Sequence, residues 1–343
     1  MGVLIDGEWR EEPADKAGSG EFVRQESRYR DRITADGSSG FKATPGRYHL
    51  FVSRACPWCH RTMIMRVLKR LENVVTISFV EPAMLENGWT FASTDPITGS
   101  RYLYEIYQQA DPLFTGRATV PVLWDRETNA IVNNESSDIA RMFNSEFDDI
   151  THELTNYYPD ALAAEIDEVN SRVYPTVNNG VYRAGFATTQ AAYERAVREL
   201  FDSLDWLDGR LQQQRYLVGD LLTEADIRLF PTLVRFDAVY YGHFKCNVRH
   251  VYEYPGLWGY ARELYQIPGI ADTVSFSEYK AHYYGSHRKI NPTGIIPVGP
   301  MLDFAAPHGR ASRFPPPPAP AGFEEPESES PTAEVPVIRE SGA

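Results

Sequence analysis

The sequence predicts an α/β domain followed by an all-helical domain, and three observations predict it. From Gly46 to about Phe147, short apolar runs alternate with helical patterns. From about Asp160 to Gly285, apolar residues recur at three-to-four spacing. Between an apolar run and a helical one lie Cys56 and Cys59, two of only 3 cysteines in the chain.

The elements follow in order. Residues 1–41 are polar, charged and weakly periodic, and read as an extension lying over the body, partly ordered at most. In the first domain, residues 42–147, RYHLFVS is a strand and PWCHRTMIMRVLKRLE a helix with apolar Trp58, Met63, Ile64, Val67, Leu68 and Leu71. NVVTISFV is a second strand and RYLYEIYQQ a short helix. ATVPVLWD and AIVNN follow as strands, and ESSDIARMFNSEF as a helix.

The second domain, residues 148–301, contains three long helical patterns starting at Pro159, Thr189 and Thr223. Thr223 and Asp226 form a capping box variant, with Leu222 and Ile227 as its apolar staple. Residues 302–343 include four consecutive prolines, and seven acids against three arginines. Such a tail buries too little apolar surface to offset its ordering entropy and is expected to be disordered.

Composition excludes some functions. The chain of 343 residues is 43% hydrophobic and 24% charged, with a net charge of −13. That balance argues against a nucleic-acid partner. No apolar run has the length of a membrane span, and the N-terminus lacks the basic-then-apolar layout of a secretion signal. Three cysteines make no disulfide framework, so a reducing cytoplasm is expected.

Position alone lets the cysteine pair close a disulfide, hold a metal, line the core or present a nucleophile. No second Cys/His pair stands at ligand spacing, which disfavours zinc and leaves no metal expected. Cys56 sits where the strand ends, with Pro57 at the first helical position. A sulfur there meets free helix amides and the positive end of the dipole, and both favour the thiolate. Arg54 and Arg61 are close enough in sequence to add to this, while Cys59 lies deeper.

A cysteine pair opening the first helix after a strand is a thioredoxin-like arrangement. That fold expects a cis proline at the start of a later strand, and Val120-Pro121 supplies the candidate. Glu135 and Ser136 then open a helix whose amides suit a carboxylate. A sulfur, a strand-like peptide edge and a carboxylate site together describe glutathione as co-substrate.

At SRACPWCHR, ENGWTF, GRATVPVLWD, NNESSDIARMFN, NNGVYRAGFATTQ, RFDAVYYGHFKCN and HYYGSHRKINPTGIIPVGP the sequence resembles the glutathione transferase superfamily, more narrowly the glutathionyl-hydroquinone reductases of the Xi class. The resemblance implies a thioredoxin-like domain before a helical one. It implies Cys56 as nucleophile, Trp89 and Arg117 flanking the glutathionyl group, Val120 pairing with its backbone, and Glu135 and Ser136 holding its γ-glutamyl end. It implies that Tyr182, Tyr240 and Tyr283 line a quinol site and that the protein is a homodimer acting on quinol-type small molecules. Cys59 departs from the many members with Ala there and keeps open a glutaredoxin-like or Omega-like thioltransferase reading. Spacing alone does not single out these tyrosines, since the chain has 20. A non-catalytic ligand-binding or scaffolding protein using the acidic tail is the third reading.

Overall fold

The computed structural model describes residues 2–11 and 18–314. Its centre is a four-stranded sheet in the order β6-β5-β7-β8. The strands are β5 (Tyr48–Val52), β6 (Thr76–Phe79), β7 (Val122–Asp125) and β8 (Ala130–Asn133). β5 runs parallel to β6 and antiparallel to β7, which pairs antiparallel with β8. Every residue of β5 is buried, as suits a central strand covered on both faces. β7 starts only after Pro121, which has no N–H to give a ladder.

Three helices complete this domain: α1 (Pro57–Leu68), α2 (Leu103–Ala110) and α3 (Ser136–Ser145). The helical region holds α4 (Asp148–Thr151), α5 (Ala163–Val173), α6 (Gly180–Gly185), α7 (Gln190–Leu211), α8 (Glu224–Arg235), α9 (Tyr241–His243), α10 (Pro255–Tyr265) and α11 (Phe276–Ser286). α1 packs on both α3 and α8, so it is wedged between the sheet domain and the helices. Its sequence shows one apolar stripe, yet His60, Arg61 and Thr62 are buried as well as Met63 and Ile64. Polar residues are tolerated there because the second domain supplies partners, such as Thr273 Oγ1 at 2.7 Å from His60 Nε2.

Two of the long helical patterns are interrupted by single wide π turns, Tyr174–Asn178 and Phe236–Tyr240. The first contains Pro175, which cannot continue the regular ladder. The capping box forms: the Thr223 amide and hydroxyl donate to Asp226 at 2.8 and 3.0 Å. Asp226 also accepts from the Leu217 amide at 2.8 Å and the Tyr260 hydroxyl at 2.7 Å.

Two expectations about the chain ends are corrected. The extension is structured wherever it is described. β1 (Gly2–Ile5) and β2 (Glu8–Glu11) form a hairpin, and Leu4 is fully buried, exchanging backbone bonds with Gly116. Beyond it, Ile33 is buried and β3 (Ile33–Thr34) pairs in parallel with β4 (Phe41–Lys42). Residues 302–314, expected to be disordered, are ordered. Phe304 is buried among Trp258, Tyr265 and Phe276, and Arg310 pairs with Glu263 at 2.7 Å. One buried aromatic contributes about 1.5–3 kcal/mol, which segment-averaged composition conceals. The proline run and the acidic stretch after it lie outside the described residues.

Candidate active site

The end of β5 delivers the chain to Ser53–Ala55 and then to Cys56, which caps α1 with extended backbone (φ −77°, ψ 123°). Pro57 follows at the first helical position. Cys56 Sγ lies 3.8 Å from the carbonyl oxygen of Val120, and the Val120–Pro121 peptide is cis. The cysteine is buried, with 8% of the residue exposed.

Burial pushes the Cys56 thiol up. Hydrogen bonds from the Cys59 thiol and from the Cys59 and Trp58 amides, together with the Arg235 charge, outweigh burial and bring it down to about 7. Cys59 moves the other way: burial and the neighbouring Cys56 raise it well above the ordinary thiol value. The pair is therefore split into a thiolate and a thiol that donates to it. All three cysteines are free.

The cation set against the sulfur comes from α8, and Arg54 and Arg61 have other partners. Arg54 stacks 3.7 Å over Phe79 and reaches Glu278 at 3.4 Å. Arg61 donates to Asn178 Oδ1 at 2.9 Å and stacks on Trp58. Arg235 is fully buried. It donates to the carbonyls of Arg54 (2.8 Å), Ala55 (3.0 Å) and Pro231 (2.8 Å) and contacts His60 Nδ1 at 2.9 Å. Nothing near Cys56 in sequence signals it, because α8 reaches the site only through the fold.

The three candidate tyrosines come together. The hydroxyls of Tyr182 and Tyr283 are 2.5 Å apart, and those of Tyr240 and Tyr283 3.0 Å apart. α6 brings Tyr182, the second π turn ends on Tyr240, and α11 brings Tyr283. Gly185 lets α6 approach closely, since a Cβ there would meet the Phe244 ring at 2.2 Å. Burial raises all three hydroxyls, Tyr240 and Tyr283 well above the ordinary value, so they stay protonated donors. The Cys56 charge adds to the rise at Tyr182 and the Arg24 charge opposes it, which ties the cluster to the sulfur.

The remaining candidates lie on other elements of the fold. Trp89 is buried and stacks on His282 of α11 at 4.8 Å. Arg117 is half-buried in the loop leading to Val120. Glu135 caps α3, accepting from the Ser137 amide and hydroxyl, each at 3.1 Å. Ser136, buried at the first position of α3, lies beside it. The extension contributes Ser27, which donates to Glu135 at 2.9 Å, and Arg24, which lies over Trp58 and Tyr182. Its polar composition gave no sign of these contacts. Among the described residues no group of three His, Cys, Asp or Glu can hold a metal.

Comparison with known proteins places this geometry. Residues 55–146 match the family model described as glutathione S-transferase, N-terminal domain, and residues 190–263 the corresponding C-terminal domain. The glutathionyl-hydroquinone reductase PcpF of Sphingobium chlorophenolicum is 55% identical over 306 residues, spanning 88% of this chain and 96% of that protein. The glutathionyl-hydroquinone reductase YqjG of Escherichia coli K12 is 52% identical over 327 residues, spanning 92% and 100%. The glutathione-bound structure of YqjG superposes with a TM-score of 0.84 at 50% identity, covering 91% of this chain and 100% of that one. A Xi-class transferase from Natrialba magadii gives 0.85 at 46% identity, covering 91% and 97%. The chain belongs to the glutathionyl-hydroquinone reductases, the Xi class of the glutathione transferase superfamily.

Proposed function

We propose that the protein uses glutathione to reduce glutathionyl hydroquinones to hydroquinones through a mixed disulfide on Cys56. The observation that carries this is one sulfur lowered to about 7 at a helix N-terminus, electrostatically coupled to a buried cluster of three protonated tyrosine hydroxyls. The relatives named as such reductases support the same substrate class.

The Cys56 thiolate attacks the glutathionyl sulfur, forming an S–S bond as the bond from sulfur to the ring breaks. Aromatic carbon is a poor leaving group. It departs from the keto tautomer, in which the ring carbon bearing sulfur already carries a proton. The bonding pair restores the aromatic ring and leaves charge on a ring oxygen. Tyr182, Tyr240 and Tyr283 stabilise that oxyanion and return a proton to it. A glutathione thiolate then attacks the mixed disulfide, releasing glutathione disulfide and restoring the Cys56 thiolate. The hydroquinone takes up two electrons, and two glutathionyl units are joined.

Glutathione would lie along the Val120 carbonyl edge, with Trp89 and Arg117 beside it and Glu135 and Ser136 at its γ-glutamyl end. We place the enzyme in the cytoplasm as a homodimer. The free cysteines support the first, and exposed Ile295, Val298 and Met301 after α11 support an apolar contact between copies. Among the described residues no helix is long and apolar enough to cross a membrane.

The test is mass spectrometry after exposure to a glutathionyl hydroquinone, with one glutathione expected on Cys56. Turnover retained by Cys56→Ser would remove the mechanism. A thioltransferase route through Cys59 is the second reading, favoured by a second free thiol one helical turn from Cys56.

A further inference from the structure

The N-terminal hairpin docks on two loops, and each loop leads into a residue placed beside glutathione. On one side Leu4 and Gly116 exchange backbone hydrogen bonds at 2.9 Å in both directions, and the Gly7 amide donates to the Phe114 carbonyl at 3.0 Å. The Asp6 amide donates to Thr115 Oγ1 at 2.8 Å. Arg117 is the next residue after Gly116. On the other side the Trp9 Nε1–H donates to the Glu86 carbonyl at 3.2 Å. Gly88 takes φ +66°, and a Cβ there would meet the Trp9 ring at 3.0 Å, so the indole lies directly on the turn that precedes Trp89. The indole also stacks on Tyr104 of α2, with 4.6 Å between ring centres. One residue earlier, the Leu103 amide donates to the Trp89 carbonyl at 2.9 Å.

β1 and β2 form a two-stranded sheet apart from the central one. A lone hairpin is marginally stable in water, so its order comes from docking. Leu4 is fully buried at the point where it docks. The loops gain in return. A loop that must be fixed when a ligand arrives costs conformational entropy, and a loop fixed beforehand does not. Trp9 lies against the loop of Trp89 and Leu4 against that of Arg117, so one element fixes both.

We propose that Trp9 and Leu4 are positioning residues for glutathione: the hairpin that carries them fixes the loops of Trp89 and Arg117 and thereby strengthens binding of the tripeptide thiol. This rests on the placement of glutathione beside Trp89 and Arg117 in the reductase reading above. Coupling between two binding events is reciprocal, so bound glutathione holds the hairpin down by the same factor by which the docked hairpin strengthens glutathione binding.

The test measures glutathione binding by calorimetry in Cys56→Ser protein, which lacks the nucleophile. Adding Trp9→Ala is expected to weaken binding about tenfold. Trp9→Phe keeps a ring against Tyr104 but loses the donor to Glu86, and is expected to weaken it less. With Cys56 intact, Trp9→Ala is expected to raise the KM for glutathione about tenfold, with kcat within about twofold and the Cys56 alkylation profile unmoved. A fall in Tm with glutathione affinity unchanged overturns the proposal and leaves the hairpin a packing element. Hydrogen exchange tests the reciprocal effect with Trp9 in place. Saturating glutathione is expected to slow exchange about tenfold in peptides from the hairpin of Cys56→Ser protein. Unaltered exchange there overturns the proposal even if Trp9→Ala fails to fold. Weaker glutathione binding in Trp9→Ala supports it even if the wild type leaves glutathionyl hydroquinones unreduced, an outcome that counts against the reductase reading alone.

Discussion

Arg235 Nε donates to the carbonyl of Ala55 at 3.0 Å, so a buried cation of the helical domain holds the residue immediately before Cys56. Burial works against the Arg235 charge, yet its value is raised and the guanidinium stays charged, held by the carbonyls of Arg54, Ala55 and Pro231. A buried charge of this kind is costly unless an anion faces it, and the Cys56 thiolate is in reach of its field.

Replacing Arg235 with Met is therefore expected to raise the Cys56 titration by about one pH unit, with Lys intermediate. The rate of iodoacetamide alkylation against pH measures this. The same change leaves the Arg54, Ala55 and Pro231 carbonyls without their donor and is expected to cost about 2–4 kcal/mol in denaturant unfolding. Loss of stability with an unmoved titration would limit Arg235 to a scaffold role.

The pH dependence of turnover follows from the sulfur. With Cys56 at about 7, the rate is expected to rise with pH below that value and level off above about 8. Stability moves in the same sense. The folded value lies below the free-thiol value of 9.0, so ionisation favours the fold fully above that value. The contribution is lost as pH falls through about 7. Denaturation midpoints of wild type and Cys56→Ser, compared across pH 6–10, isolate this part (about 1–3 kcal/mol).

Cys59→Ala removes a donor to the thiolate and leaves the nucleophile. Activity at pH 8 is expected to persist within about tenfold, with the Cys56 titration moved upward. A collapse of turnover, or an internal disulfide found by mass spectrometry of the wild type during catalysis, would favour the dithiol route.

Tyr240→Phe deletes one hydroxyl from a buried cluster at 3.0 Å from Tyr283. Reduction of a glutathionyl hydroquinone is expected to slow about a hundredfold. A small mixed disulfide needs no ring protonation and should be slowed far less. Equal losses on both substrates would mark Tyr240 as packing.

Asp226 accepts four hydrogen bonds while fully buried, joining the α8 cap to Leu217 and Tyr260. Asp226→Ala is expected to lower stability by about 3 kcal/mol or more, read as a fall in Tm without change in Cys56 alkylation at the same temperature.

The parts of the site that lie within one sequence-local motif were legible beforehand. A strand, a cysteine and a proline in succession dictate where α1 begins, because helix geometry leaves amides free at that point and nowhere else. Val120-Pro121 was readable because the thioredoxin-like cysteine arrangement expects a cis proline at the start of a later strand, and this is the proline that opens one. The tyrosine cluster was not readable from spacing: Tyr182, Tyr240 and Tyr283 come from separate helices, and only the family resemblance selected them. Arg235 and Arg24 were missed for a related reason. An arginine held inside the fold looks like a surface arginine in sequence, because its surroundings are decided by partners more than a hundred residues away, such as Asn179 for the half-buried Arg24 and Ala55 for the buried Arg235. The order of residues 302–314 was missed because one aromatic, Phe304, outweighs a polar neighbourhood once other aromatics receive it.

The extension touches Glu135 through Ser27 and Tyr182 through Arg24, so two of its side chains stand against the candidate site. A variant lacking the residues before Tyr29 would keep the four-stranded sheet, α1 and Cys56, yet lose both of these contacts. The lost contacts are side-chain ones to Glu135 and Tyr182, so the folded core would give no sign of the change.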